Sequence, residues 1–189
     1  MKRLSVIALA MFALSAQTGA GWVTLFDGKD LNNFTQVGTA NWKLADGVVE
    51  ANSGAGFLVS KESYTDFELK VEFWASGGGN SGVYMRCLDG SKITDKTCYE
   101  ANVFDKRPDQ SGRTGGIPNF AKPIAIVDSD GKWNTYEITM RGPHIIVVLN
   151  GVKTIDTKDE TLKSGRSRSS TWRATSSSGR WRSGSCRRL

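Results

Sequence analysis

The feature that most constrains this chain is a two-residue rhythm. Phe67, Leu69, Val71 and Phe73 alternate with Glu68, Lys70, Glu72 and Trp74. Side chains on a strand point to opposite faces in turn, so this rhythm turns one apolar row toward a core. Shorter patterns of the same kind recur, separated by Gly, Asn and Asp. Trp22 to Phe26 predicts a first strand, ended by the turn Asp27-Gly28-Lys29-Asp30. Trp42-Lys43-Leu44, Asp46-Gly47 and Val48 to Ala51 read as a hairpin. Gly77 to Asn80 turns the chain into Val83-Tyr84-Met85-Arg86, and Tyr99 to Phe104 follows. Trp133 to Met140 and Ile145 to Leu149 are strands, and Asn150-Gly151 is a type I′ turn into Val152 to Ile155. No helix of ordinary length emerges. Many short strands with turn signals between them predict an all-β sandwich or jelly roll of two antiparallel sheets.

The two ends of the chain depart from this rhythm. Lys2 and Arg3 precede an apolar run from Leu4 to Leu14, and small residues follow, the pattern of a cleaved export signal over residues 1–20. The run is too short to span a bilayer comfortably, so no membrane anchor is expected after cleavage and the mature protein is expected in the periplasm or outside the cell. At the other end, residues 164–189 hold seven arginines and no acid; without them the net charge of +6 falls to −1. The basic balance thus belongs to a Ser/Arg-rich tail rather than to a folded face, which argues against a nucleic-acid partner. The tail is expected to lie outside the jelly-roll domain of residues 21–163 and to be disordered. Residues 166–183 can be encoded so that reading from the third base gives Val-Ala-Leu-Gln-Tyr-Val-Ala-Gly-Asp-Val-Lys-Phe-Arg-Lys-Val-Glu-Ile-Arg, a hairpin of two alternating strands. The tail therefore reads as the product of a reading-frame slip, with the closing C-terminal strands missing.

Cys87 and Cys98 flank a polar loop and, in an oxidising compartment, can close it as a disulfide. A metal pair is the alternative, but no His or further Cys lies nearby in sequence. Cys186 would then be unpaired. If both flanking segments are strands, Tyr84 and Arg86 share one face, as do Glu100 and Asn102, and closure of the loop makes them antiparallel neighbours. Such a patch suits a polyhydroxylated ligand, although an ordinary cross-strand Arg–Glu pair has the same sequence. Other candidates are weaker: His144 sits beside Pro143 at a turn, Trp133 is expected in the core, and Arg113 to Ile117 is a Gly-rich loop placed to cover a cleft.

Several motifs occur in a fixed order: Leu25-Phe26-Asp27-Gly28-Lys29-Asp30-Leu31, Trp42 with Asp46-Gly47, Tyr64 with Asp66-Phe67-Glu68-Leu69, Asn80-Ser81-Gly82-Val83 with Arg86, Tyr99-Glu100 with Asp105, Thr114-Gly115, Trp133-Asn134 and Leu149-Asn150-Gly151. Together, over about Gly21 to Leu162, they resemble the 3-keto-disaccharide hydrolase domain family. The resemblance implies a concanavalin A-like jelly roll, akin in shape to laminin G domains, and action on glycosides oxidised to the ketone at C3. A ketone there acidifies the C2 proton, so one base and one stabiliser of the enolate suffice. On this resemblance Glu100 is the candidate base and Arg86 the candidate enolate holder, with Asn80, Tyr84, Asn102 and Asp105 positioning the sugar substrate. Family members usually carry Gln where this chain has Asn102. No cofactor is required by this scheme; a divalent metal cation stays open, with Glu100 and Asp105 as its ligands instead. Three function classes follow: a glycoside-cleaving enzyme, a non-catalytic carbohydrate-binding module on the same fold, and a binder of nucleic acid or anionic surfaces through the tail alone.

Overall fold

The computed structural model describes residues 21–76, 78–88, 92–162, 173–175 and 179–189. The expected signal at 1–20 and the tail residues 164–172 and 176–178 lie outside the described residues. Thirteen strands are described: β1 (Trp22–Phe26), β2 (Phe34–Gly38), β3 (Lys43–Ala45), β4 (Val48–Glu50), β5 (Gly56–Ser60), β6 (Phe67–Ala75), β7 (Ser81–Met85), β8 (Tyr99–Val103), β9 (Trp133–Arg141), β10 (His144–Leu149), β11 (Val152–Lys158), β12 (Arg173–Thr175) and β13 (Gly179–Arg188). The larger sheet runs β11-β10-β9-β6-β13-β4-β3, with β1 also paired to β13, and the smaller runs β2-β5-β12-β7-β8. Every pairing between named strands is antiparallel.

The turns follow from residues that tolerate a left-handed backbone. Asp46 and Gly47 have φ of 51° and 74° and join β3 to β4; Asn150 and Gly151, at 51° and 81°, join β10 to β11. Both central positions of a type I′ turn need positive φ, which matches the right-handed twist of the flanking strands. On β6 the apolar row Phe67, Leu69, Val71 and Phe73 is buried, as the alternation predicts, beside Tyr136, Ile138 and Met140 of β9. The smaller sheet contributes Leu58, Val83, Met85, Tyr99, Ala101 and Val103 to the same core. Each fully buried side chain of this size stabilises by roughly 1.5–3 kcal/mol.

Two expectations are corrected here. The closing strands are not missing, and the described part of the tail is not outside the fold. β12 lies between β5 and β7, and β13 lies between β6 and β4. Trp181 and Cys186 of β13 are buried, and Trp181 lies 5.5 Å from the Phe73 ring. Its arginines are paired: Arg180 with Glu50, Arg182 with Glu72 and Arg187 with Glu68 on the outer face, and Arg188 with Glu62 at the strand end. They also lie over Trp74, Trp133, Trp22 and Tyr64 in that order. Apolar stems on rings and charges on glutamates let an Arg-rich strand sit on the outer face of a sheet. These arginines are not a free basic run. Trp133, expected in the core, stands on that outer face against Trp74, while Asn134 points inward and bonds the Ser129 carbonyl.

Candidate functional site

The centre of interest is the face of β7 and β8 turned away from the core. The register pairs Gly82 with Asn102, Val83 with Ala101 and Tyr84 with Glu100. Val83, Met85, Tyr99, Ala101 and Val103 face the core, so Gly82, Tyr84, Glu100 and Asn102 share the opposite face. That face is covered as well: Glu100 is 4% exposed, Tyr84 8% and Asn102 0%. The floor around Tyr84 is apolar. Phe57 of β5 meets its ring edge-on at 5.6 Å, and Tyr84 clusters with Ile93 and the Cys87–Cys98 disulfide. The disulfide joins the ends of β7 and β8, as the polar loop between the two cysteines implied. Closing a loop of this length contributes about 3 kcal/mol.

Burial pushes the Glu100 carboxyl up to about 7, against the hydrogen bond from the Tyr84 hydroxyl, which favours the charged form. Two further charges face it: Asp95, from the disulfide loop, raises it, and Arg107, just beyond β8, lowers it. Burial, with the Glu100 charge close by, pushes the Tyr84 phenol far above its ordinary value, so Tyr84 is a donor here and not a base. A carboxylate near neutrality is suited to taking a proton from carbon and returning it. Gly82 lets Glu100 lie flat across β7, since a Cβ there would be 2.5 Å from Oε1.

The other candidates are placed elsewhere. Arg86 does not share the face of Tyr84. β7 ends at Met85, and Arg86 has φ of 48°, a left-handed backbone that turns the side chain away. Its guanidinium donates to the carbonyls of Thr65 and Gly142 and to the Asp66 carboxylate. Arg86 therefore ties three segments together and is already committed. Asn80 is exposed ahead of β7. Asp105 accepts from the Ser129 amide and hydroxyl and from the Asp130 amide, at 2.7, 2.8 and 3.0 Å. Burial pushes its carboxyl up, but these bonds and one from Thr114 outweigh burial and hold it below its ordinary value.

Asp105 thus anchors a loop. Its oxygens accept from protein donors, and among the described residues no group of three His, Cys, Asp or Glu that could hold a metal ion is found. The Arg113 to Ile117 loop is pinned rather than mobile. The Asn102 amide donates to the Gly116 carbonyl and the Gly115 amide to the Asn102 carbonyl along the β8 edge, and Arg113 pairs with Asp128 at 2.7 Å. His144 pairs with Asp156 at the surface. Sequence reasoning missed Arg107, Asp95 and Gly82. Only the fold brings the disulfide loop and the segment after β8 over one sheet face.

The family profile described as the 3-keto-alpha-glucoside-1,2-lyase-like domain matches residues 21–181. The chain is 31% identical to a 3-keto-disaccharide hydrolase of Bacteroides thetaiotaomicron, over 62% of this chain and 52% of that protein. It therefore spans about half the length of this curated relative. Among solved structures, a protein provisionally named a glycosyl hydrolase, from Parabacteroides distasonis, is similar with a TM-score of 0.74 and 19% identity, covering 89% of this chain and 94% of that one. The carbohydrate-binding module CBM66 from Bacillus subtilis is similar with a TM-score of 0.51 and 18% identity, covering 89% and 92%. At these identities the likeness is one of fold, a jelly-roll sandwich.

Proposed function

Because the chain belongs to the 3-keto-alpha-glucoside-1,2-lyase-like domain family, we propose that it cleaves glycosides already oxidised to a ketone at C3, with Glu100 as the base. The observation that carries this reading is a buried carboxyl, pushed up to about 7 and hydrogen-bonded to Tyr84, on a sheet face away from the core. Glu100 takes the proton from C2, which the neighbouring ketone has acidified. The C1 substituent then leaves by elimination, its oxygen receiving a proton, and addition of water across the new double bond completes a net hydrolysis. Tyr84 holds the Glu100 carboxylate in place and Asn102 faces the sugar. Unlike a pair of flanking carboxylates, this scheme needs only one base. Export to the periplasm or beyond fits the basic and apolar start of the sequence.

The test is sugar release from a 3-keto disaccharide beside the same disaccharide unoxidised. Release from the keto form only is expected, lost by a factor of about 10²–10⁴ in Glu100→Gln. Full turnover in Glu100→Gln would remove the base role. The second reading is a carbohydrate-binding module without turnover, since this sandwich fold serves binding as well as catalysis. Binding of either sugar with no release from the folded protein favours it.

A further inference from the structure

Two buried polar atoms beside Glu100 have no hydrogen-bond partner within the protein: Oδ1 of Asn102 and Nε of Arg107. Gly112 links them. Its carbonyl accepts from Nδ2 of Asn102, and a Cβ on Gly112 would lie 2.9 Å from Nε of Arg107. Arg107 therefore packs against Gly112, the residue that also bonds Asn102, and its charge is felt at Glu100. Its ion pair with Asp95 is loose, at 3.8 Å. Arg86 is committed to Thr65, Gly142 and Asp66; Arg113, like Arg107, has an unpartnered Nε, but its terminal nitrogen is held by Asp128 at 2.7 Å and lies beside Asp105.

We infer that Arg107, not Arg86, is the residue that holds the substrate's ketone oxygen as it becomes an enolate oxygen, with Asn102 Oδ1 accepting from a neighbouring sugar hydroxyl. The inference rests on the reaction proposed above. As Glu100 removes the C2 proton, the C–H electron pair forms the C2–C3 double bond and the carbonyl π pair moves onto oxygen, opposite the guanidinium. When the ketone re-forms, the electrons shift to make C1–C2 double, the C1–O bond breaks, and the departing oxygen takes the proton from Glu100. A cation fixed in a covered site stabilises charge that develops only in the transition state. Arg107 thus acts mainly on turnover.

The experiment compares wild type, Arg107→Gln and Arg107→Lys on the 3-keto disaccharide, with melting curves to confirm folding. The expected result is a fall in kcat of about 10²–10³ for Arg107→Gln with a smaller change in KM. Lysine, without the planar fork, restores only part. The charged and titratable groups facing Glu100 are Asp95, Arg107 and the Tyr84 phenol. Loss of the cation should therefore move the acid limb of the rate profile to higher pH, a change that a purely structural residue would not cause. Wild-type kcat and an unmoved acid limb in Arg107→Gln, with wild type active, overturn the role of Arg107 alone. No release by wild type overturns the reaction and this inference with it. If Arg107→Gln does not fold, Arg107→Lys decides: at least a tenfold loss of kcat supports the role, and full activity overturns it.

Discussion

A Cβ added to Gly82 would sit 2.5 Å from Oε1 of Glu100 and 2.8 Å from its Cγ. The clash reaches back to Cγ of a buried side chain, so Gly82→Ala should lower the melting temperature somewhat while pushing the carboxyl off β7. A displacement of about 1 Å costs on the order of a hundredfold in rate. Steady-state kinetics beside thermal melts check this, and an unimpaired Gly82→Ala would show that Glu100 does not need its present pose. Protonation makes a second prediction at the same residue. The folded state holds Glu100 at about 7, above its ordinary 4.5. Its contribution to stability is therefore fully present below pH 4.5 and lost as pH rises through about 7, a change of roughly 3 kcal/mol. Activity runs the other way, rising through about pH 7 as the base deprotonates. Denaturant melts of wild type and Glu100→Gln from pH 5 to 8 should diverge accordingly, and parallel curves would refute the assignment.

At the scale of elements, the end of β7 decides where Arg86 points. The strand ends at Met85, and the left-handed backbone at Arg86 sends its guanidinium to Thr65, Gly142 and Asp66 instead of toward Tyr84. Arg86→Met should destabilise by about 3 kcal/mol, because it leaves buried carbonyls and a carboxylate without their donor. Any protein that remains folded should keep the acid limb of its rate profile. A variant as stable as wild type but inactive would return Arg86 to the reaction. Alternation alone could not reveal this reversal, since a two-residue period assumes an unbroken strand. Where the period held, the sequence was legible: the buried row of β6, the Asp46-Gly47 and Asn150-Gly151 hairpins, and the pairing of β7 with β8 closed by Cys87 and Cys98. β2 and β5 were not foreseen, for Phe34–Gly38 and Gly56–Ser60 are short and bounded by glycine. That Glu100, Tyr84 and Asn102 share one face was legible because they alternate on neighbouring strands. Arg107 and Asp95 were not, because loops bring them over the sheet and loops carry no period.

For the whole molecule, the weight falls on β13. It pairs with β6 from Gly179–Ala75 to Arg188–Phe67 and also with β4 and β1, so it is interior to the larger sheet. Deleting residues 164–189 would expose the edges of β6 and β4 and uncover Phe73, and unpaired edges of this kind invite aggregation. The truncated chain should fail to give a cooperative melt. Yet Ser183-Gly184-Ser185 is a weak sequence for an interior strand, with a glycine that packs no side chain and a register shift beside it. The composition and the position disagree, and a reading-frame slip before this point resolves the disagreement. We propose that the shifted reading of codons 166–183, which ends in Val-Lys-Phe-Arg-Lys-Val-Glu-Ile-Arg, supplies the strand that the sheet is built to receive. It is richer in β-branched residues than the present strand, and each extra apolar side chain buried adds roughly 1.5–3 kcal/mol. The nucleotide sequence is the first check, and codons that cannot be read in the shifted frame would end the idea. If they can, the restored chain should melt at a higher temperature than the present one, with a steeper transition. Equal melting temperatures would mean that the arginines of β13, stacked on Trp22, Trp74 and Trp133 and paired with Glu68, Glu50 and Glu72, already close the sheet as well as an apolar strand does.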